Sequence, residues 1–219
     1  MKIASQLRRT NIAQYLLYMW QVEDLLRAYD LDIDRLAAAV IDPVPDLSEE
    51  DARALREWYE SLIDMMRREG VAEKGHLQIT RNTLGDLADL HRRILAEATR
   101  FPEYTAEFYR TLPYIVELRA KSGPEPAGEI ETCFNALYAR LILRLRHADE
   151  SAETAAAIDQ ITRFIAALAR DYHLDEADKL FTPEEDAPAT ATPAKDAPAT
   201  ATPAKDAPAQ APDAGDATK

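Results

Sequence analysis

Residues able to do chemistry are sparse in this chain, and most of them gather on one early stretch. From Asn11 to Tyr29 (NIAQYLLYMWQVEDLLRAY) polar side chains interrupt an apolar and aromatic run. Asn11, Gln14, Tyr18 and Gln21 step along one side of a helix at i, i+3, i+7 and i+10, the spacing that lines a pocket wall or meets a partner. Tyr15, Glu23 and Asp24 stand beside that strip, and Glu23 and Arg27 are four apart in the favourable acid-first order. Groups of this kind hydrogen-bond either a ligand or neighbouring helices, because buried polar atoms must be satisfied by one or the other. His91 is the one histidine on an apolar stripe, a position that suits a hydrogen-bonded core residue before a ligand or a base.

Elsewhere the signatures of catalysis are missing. Neither GxGxxG nor the GxxxxGK[ST] phosphate loop occurs, and there is no GxSxG elbow. A di-iron bundle needs inward Glu-x-x-His pairs. The only such pair is Glu73 and His76, interrupted by Gly75. His147/Glu150 and His173/Glu176 have the reverse order and fall near expected helix ends, where histidine serves the last carbonyls. We therefore expect no catalytic residue, no metal ligand and no cofactor. Cys133, the single cysteine, sits between Ile130 and Phe134 as a small buried hydrophobe and excludes an intramolecular disulfide. Arg140, Arg144 and His147 share a helix face that would suit a phosphate or an acidic partner, although pairing with nearby carboxylates is the simpler fate.

Composition narrows the class further. The 219 residues carry a net charge of −13, and residues 1–181 keep 32 acids against 23 bases, a net −9. Such a surface repels nucleic acid and anionic membranes on average. No apolar run approaches the ~20 residues needed to span a bilayer. MKIASQLRRT lacks the apolar core of a signal peptide, so the expected compartment is the cytoplasm.

The elements that must position these groups are helices. Ile12, Leu16, Met19, Val22 and Leu26 recur at three- and four-residue steps. Because the run Tyr15–Trp20 is apolar or aromatic throughout, this helix should touch several neighbours as the hub of a bundle. Thr10 could cap its start. In Asp30-Leu31-Asp32-Ile33-Asp34 the aspartates resemble a calcium loop, but the central glycine and distal glutamate are missing. Asp32 is then a cap for a helix from Ile33 to Val40. Ser48 opens the next helix, with Tyr59, Leu62 and Met66 inward, and Leu84, Leu87, His91 and Ile94 mark another. Pro102 starts a helix that Pro113 must kink or divide. Ile130, Phe134, Leu137, Leu141 and Leu145 form the stripe of the following one, and Ser151 opens the last long helix. With no period-two segment, the expected fold is all-α: an up-and-down bundle of five long and two or three short helices over residues 1–181.

Residues 182–219 form a second region of different material. DAPATATPAK occurs at 186–195 and again at 196–205, with a degenerate third copy from Asp206. No unit has a side chain large enough to bury, so a disordered Ala/Pro/Thr-rich tail is expected.

The string Ile12 to Leu25, with Leu31-Asp32-Ile33-Asp34 after it, resembles the N-terminal signature of an uncharacterised family of the Bacteroides group of bacteria, a domain-of-unknown-function family. The similarity covers Met1 to about Phe181, centres on YLLYMWQVEDL, and implies a bacterial protein without assigning any residue a role. Function is thus unknown from the sequence. The leading expectation is a non-enzymatic helical module that binds a protein partner or itself. The alternatives are a small-molecule binder or enzyme with an interhelical pocket beside the first long helix, or phosphate or nucleic-acid binding through the arginine cluster.

Overall fold

The computed structural model describes residues 2–122, 127–147 and 149–182; the repeat region falls outside them. One compact unit spans Met1–Thr182. Its helices are α1 (Lys2–Thr10), α2 (Ile12–Ala28), α3 (Ile33–Leu36), α4 (Glu49–Arg68), α5 (Gln78–Ala96), α6 (Pro102–Lys121), α7 (Glu129–Leu145) and α8 (Ala152–Glu176). No strand forms among the described residues. The all-helical bundle expected from the 3.6-residue period is the observed one.

Local chemistry sets the boundaries. Asn11, not Thr10, caps α2: its side chain accepts the Gln14 N–H at 3.1 Å, whereas the Thr10 hydroxyl donates back to the Gln6 carbonyl at 3.0 Å. Ser48 and Ser151 accept the N–H of Asp51 and of Thr154, each at 3.1 Å, as serine caps do. Asp32 accepts the Asp34 and Arg35 N–H groups at 2.9 and 3.1 Å, so the aspartate run ends one helix and starts the next. The helix expected over Ile33–Val40 keeps α geometry only to Leu36 and widens into a π turn over Ala37–Ile41.

Pro113 does not divide α6, which stays continuous over 20 residues and so counts among the long helices. The proline stands on the exposed side, where the carbonyl deprived of its amide partner can meet water. On α7 the buried residues end at Ala136, and Leu145 is 64 % exposed rather than inward, because the neighbouring helices cover only the first half of α7.

The core lies around α2 and α8. Ile12, Leu16, Met19, Trp20, Val22 and Leu26 of α2 are all buried, and α2 touches α1, α5, α7 and α8. Each fully buried large side chain is worth about 1.5–3 kcal/mol over an exposed one. α8 shares the central place. Ile158, Ile161, Phe164, Ile165 and Leu168 are buried, and it packs along α6, α7, α2 and α5. The site described next is laid out by α5 and α7, which flank α2.

Candidate functional site

Glu23 is the most enclosed ionisable group on α2. Its carboxylate accepts the Leu77 N–H at 3.1 Å and approaches His76 Nδ1 at 2.7 Å. A carboxylate only accepts, so Nδ1 carries the hydrogen and Nε2 is left free for another partner. Thr80 Oγ1 lies 3.2 Å from Glu23 and 2.8 Å from the Leu77 carbonyl, sharing one hydrogen between two acceptors. Leu77 is the N-cap position of α5, offering no side-chain cap itself, and Thr80 lies in the first turn. Glu23 from α2, together with Glu69, which accepts the Gln78 N–H at 2.6 Å, supplies the cap, with negative charge where the helix dipole favours it.

Arg27, one turn along α2, completes the arrangement. Its guanidinium donates to the carbonyls of Val71 and Gly75 and to Asp24 at 2.9 Å, and it stands 4.0 Å from Glu23. Glu23 and Arg27 thus hold both ends of the α4–α5 connection. Gly75 takes φ +87° there, a conformation that favours glycine.

Trp20 closes the inner side. Its indole stacks on His76 with centroids 4.2 Å apart and planes 15° apart, and it meets Phe134 and Tyr138 of α7 edge-on. The Tyr138 hydroxyl donates to Asp24 at 2.6 Å. Burial, aided by the neighbouring Asp24, raises the Tyr138 pKa, which keeps that hydroxyl a donor. His76 remains 32 % exposed and faces a cavity of about 200 Å³ shared with Trp20, Thr80, Arg81, Leu84 and Glu131. An imidazole oriented by a buried carboxylate can take and return a proton. Among the described residues no serine or cysteine lines this cavity to serve as a nucleophile.

A second cavity, of about 430 Å³, shares Arg81, Leu84 and Glu131 with the first and continues past Gly85 and Ala88 to His91, Gly128 and Glu129. The two are ends of one groove between α5 and the start of α7. Its floor is low because Gly85 and Ala88, three apart, stand on one side of α5, and nothing lies within 4 Å of the space a Cβ on Gly85 would occupy. At the far end His91 is 2 % exposed, with Nδ1 2.7 Å from the Tyr104 hydroxyl. The Glu129 carboxylate, which can only accept, lies 3.5 Å from Nε2 and favours the ring hydrogen on that nitrogen, with the Tyr104 hydroxyl donating to Nδ1. Burial lowers the His91 pKa against the opposing pull of Glu129, which keeps the ring neutral.

Of the residues singled out in the sequence, Glu23 and Asp24 join this cluster and His91 lies at the far end of the groove. The others are elsewhere. Gln14 is exposed, Tyr15 is buried with the Arg8 guanidinium 5.8 Å over its ring, and Tyr18 is half-buried beside Tyr59. Gln21 donates to the Leu17 carbonyl of its own helix at 3.1 Å. The strip therefore does not converge on one pocket. Arg140 is held by Glu150 at 3.2 Å and Asp159 at 2.6 Å, while Arg144 is exposed and His147 occupies a left-handed turn at φ 52°. Gln14, Arg140 and Arg144 do line a common hollow between α2, α7 and α8, but Arg140 is already paired with Glu150 and Asp159. Among the described residues no group of three or more His, Cys, Asp or Glu is placed to hold a metal ion.

Sequence reasoning passed over Thr80, Tyr138, Gly85 and Glu129 and met His76 only through its spacing to Glu73. Of those passed over, Gly85 left a readable mark, as a small residue three positions from Ala88 on one helix face.

The class these features define is a helical bundle with a groove on one flank and a carboxylate-held imidazole at its mouth. The chain belongs to the family described as Domain of unknown function (DUF4924), which matches residues 1–179. Comparisons with curated proteins and with solved structures find no match. No helix among the described residues is long and apolar enough to cross a membrane.

Proposed function

We propose that this domain is a non-catalytic binding module of the bacterial cytoplasm, with a Bacteroides-group origin, that receives an apolar segment of a partner protein in the α5–α7 groove. The observation that carries the reading is the continuity of the two cavities through Arg81, Leu84 and Glu131, over the low floor left by Gly85 and Ala88. A groove with a small and apolar floor, Arg81 and Glu131 where its two parts meet and fixed polar groups at its ends is a shape that takes a protein segment. Capture of a partner by the full chain, compared with Gly85→Leu, tests it. The leucine fills open space on a helix and should abolish capture without unfolding the domain. Light scattering on the same samples tells a foreign partner from a second copy.

One observation favours a second reading, a small-molecule binder or enzyme. The Glu23–His76 pair stacked on Trp20 is built to hold and orient a polar ligand. Native mass spectrometry of the purified chain separates the two readings: a retained small molecule lost in His76→Ala supports the second. Phosphate or nucleic-acid binding draws least support, since Arg140 already has two carboxylate partners.

A further inference from the structure

The far end of the groove collects donors that lack acceptors. Gly128 precedes α7 and offers no side-chain cap, and the first helical bond is Thr132 N–H to the Gly128 carbonyl at 2.8 Å. Among the described residues the N–H groups of Glu129, Ile130 and Glu131 therefore have no acceptor, at the positive end of a 17-residue helix. Independently, His91 Nε2, the ring's hydrogen-bearing nitrogen, is buried in the wall of the same cavity and has no hydrogen-bond partner among the described residues. The nearest acceptor is Glu129 Oε2, at 3.5 Å, too far for a proper N–H···O bond. Arg81 and Arg92 stand on the rim, and Leu84, Ala88 and Ile130 supply an apolar wall beside the donors.

Resting on the groove reading above, we propose that this end recognises the C-terminal carboxylate of the partner, with the partner's last side chain, an apolar one, against Ala88 and Ile130. Free N–H groups at a helix start are a ready site for such an oxyanion, and capture of a terminal carboxylate by backbone N–H groups is an established mode of peptide recognition. The His91 N–H adds a neutral donor that needs no protonation to act. A terminal residue matches the layout because its carboxylate and side chain leave the same Cα, as the donors and the apolar wall lie side by side. The competing internal anions are Glu131, exposed on the same cavity wall, and Glu129. Half-exposed and only loosely placed over His91, the Glu129 side chain swings out to solvent when the ligand carboxylate enters.

The test is a ¹⁵N–¹H titration of the full chain with N-acetyl-leucine, N-acetyl-leucinamide and N-acetyl-aspartic acid α-amide. N-acetyl-leucine should move the amide signals of Glu129 to Thr132 saturably, and the other two should not at equal concentration. Glu129→Gln, which removes one competing charge at a half-exposed position, should bind N-acetyl-leucine about fivefold more tightly. Equal shifts from the leucinamide would overturn the anion, and equal shifts from the aspartic amide would overturn the chain terminus. No shift with N-acetyl-leucine, or weaker binding by Glu129→Gln, would overturn the site. If Gly85→Leu still abolishes partner capture in that case, the groove reading stands and only the carboxylate assignment falls.

Discussion

Glu23 of α2 accepts the backbone N–H of Leu77, the residue that opens α5, at 3.1 Å across 54 positions of sequence. One buried carboxylate thus starts a helix, orients His76 and offsets Arg27. Removing it leaves the Leu77 N–H without an acceptor and His76 without its anion, while Arg27 keeps Asp24 and the Gln78 N–H keeps Glu69. Glu23→Ala should cost about 2–4 kcal/mol in chemical denaturation, the range for breaking a buried charge-assisted cluster. Asp24→Asn, at a half-exposed neighbour, should cost no more than about 1 kcal/mol. Similar losses at the two sites would contradict this account of Glu23.

His91 and Asp171 give the stability a dependence on pH with opposite signs. The folded His91 pKa lies below its ordinary value because of burial, so the unfolded chain takes up the proton first. Its contribution is complete above about pH 6.5 and is lost as pH falls towards the folded value. His91→Gln should flatten the fall between pH 7 and 5 in thermal melts. Asp171 is raised by burial, partly offset by Arg170, so its folded carboxylate is penalised at neutral pH and relieved on acidification. Asp171→Asn should therefore raise the melting temperature at pH 7, and by less at pH 4.

Gly85 lies inside α5 with ordinary helical backbone and open space where a Cβ would go. Gly85→Ala should stabilise the domain by about 0.5–1 kcal/mol, the usual difference between these residues in a helix interior. A destabilised Gly85→Ala would show that the groove floor is more tightly covered than described.

Cys133 is fully buried between α7 and its neighbours, and burial, with a smaller push from Glu129, raises its thiol to about 12. The thiolate is the reactive form. An aromatic disulfide reagent at pH 8 should modify Cys133 only as fast as the domain unfolds, and urea should accelerate the reaction in step with the unfolding transition. Rapid labelling of the native protein would refute a sealed core there.

The bundle was legible in the chain because its signals are local. Apolar steps of three and four marked α2, and Ser48, Ser151 and Asp32 announced helix starts that their side chains cap. Pro113 was harder to read, since whether a proline divides a helix depends on which side of it faces water. The site was less legible, for a physical reason. Glu23 and Asp24 stood out as acids on an apolar helix, but what makes Glu23 unusual is His76, 53 positions away, and Thr80, 57 away. His76 drew notice only through a spacing to Glu73 that Gly75 spoils. Gln14, Tyr18 and Gln21 share a face by periodicity, yet that face is divided between solvent, Tyr59 and the helix's own backbone. Periodicity tells which side chains share a face and leaves open what covers it.

The groove is the central claim, and a second exposed apolar surface gives it a fair competitor: Tyr109 and Val116, 61 % and 57 % exposed on the outer side of α6. The most direct measurement is quantitative partner capture from native lysate by the wild-type chain, Gly85→Leu and Val116→Asp, with folding of each checked by circular dichroism. The groove account predicts that Gly85→Leu loses at least about tenfold in capture, equivalent to ~1.4 kcal/mol, while Val116→Asp retains it. Capture that survives Gly85→Leu and disappears in Val116→Asp would contradict the account and move the binding surface to α6.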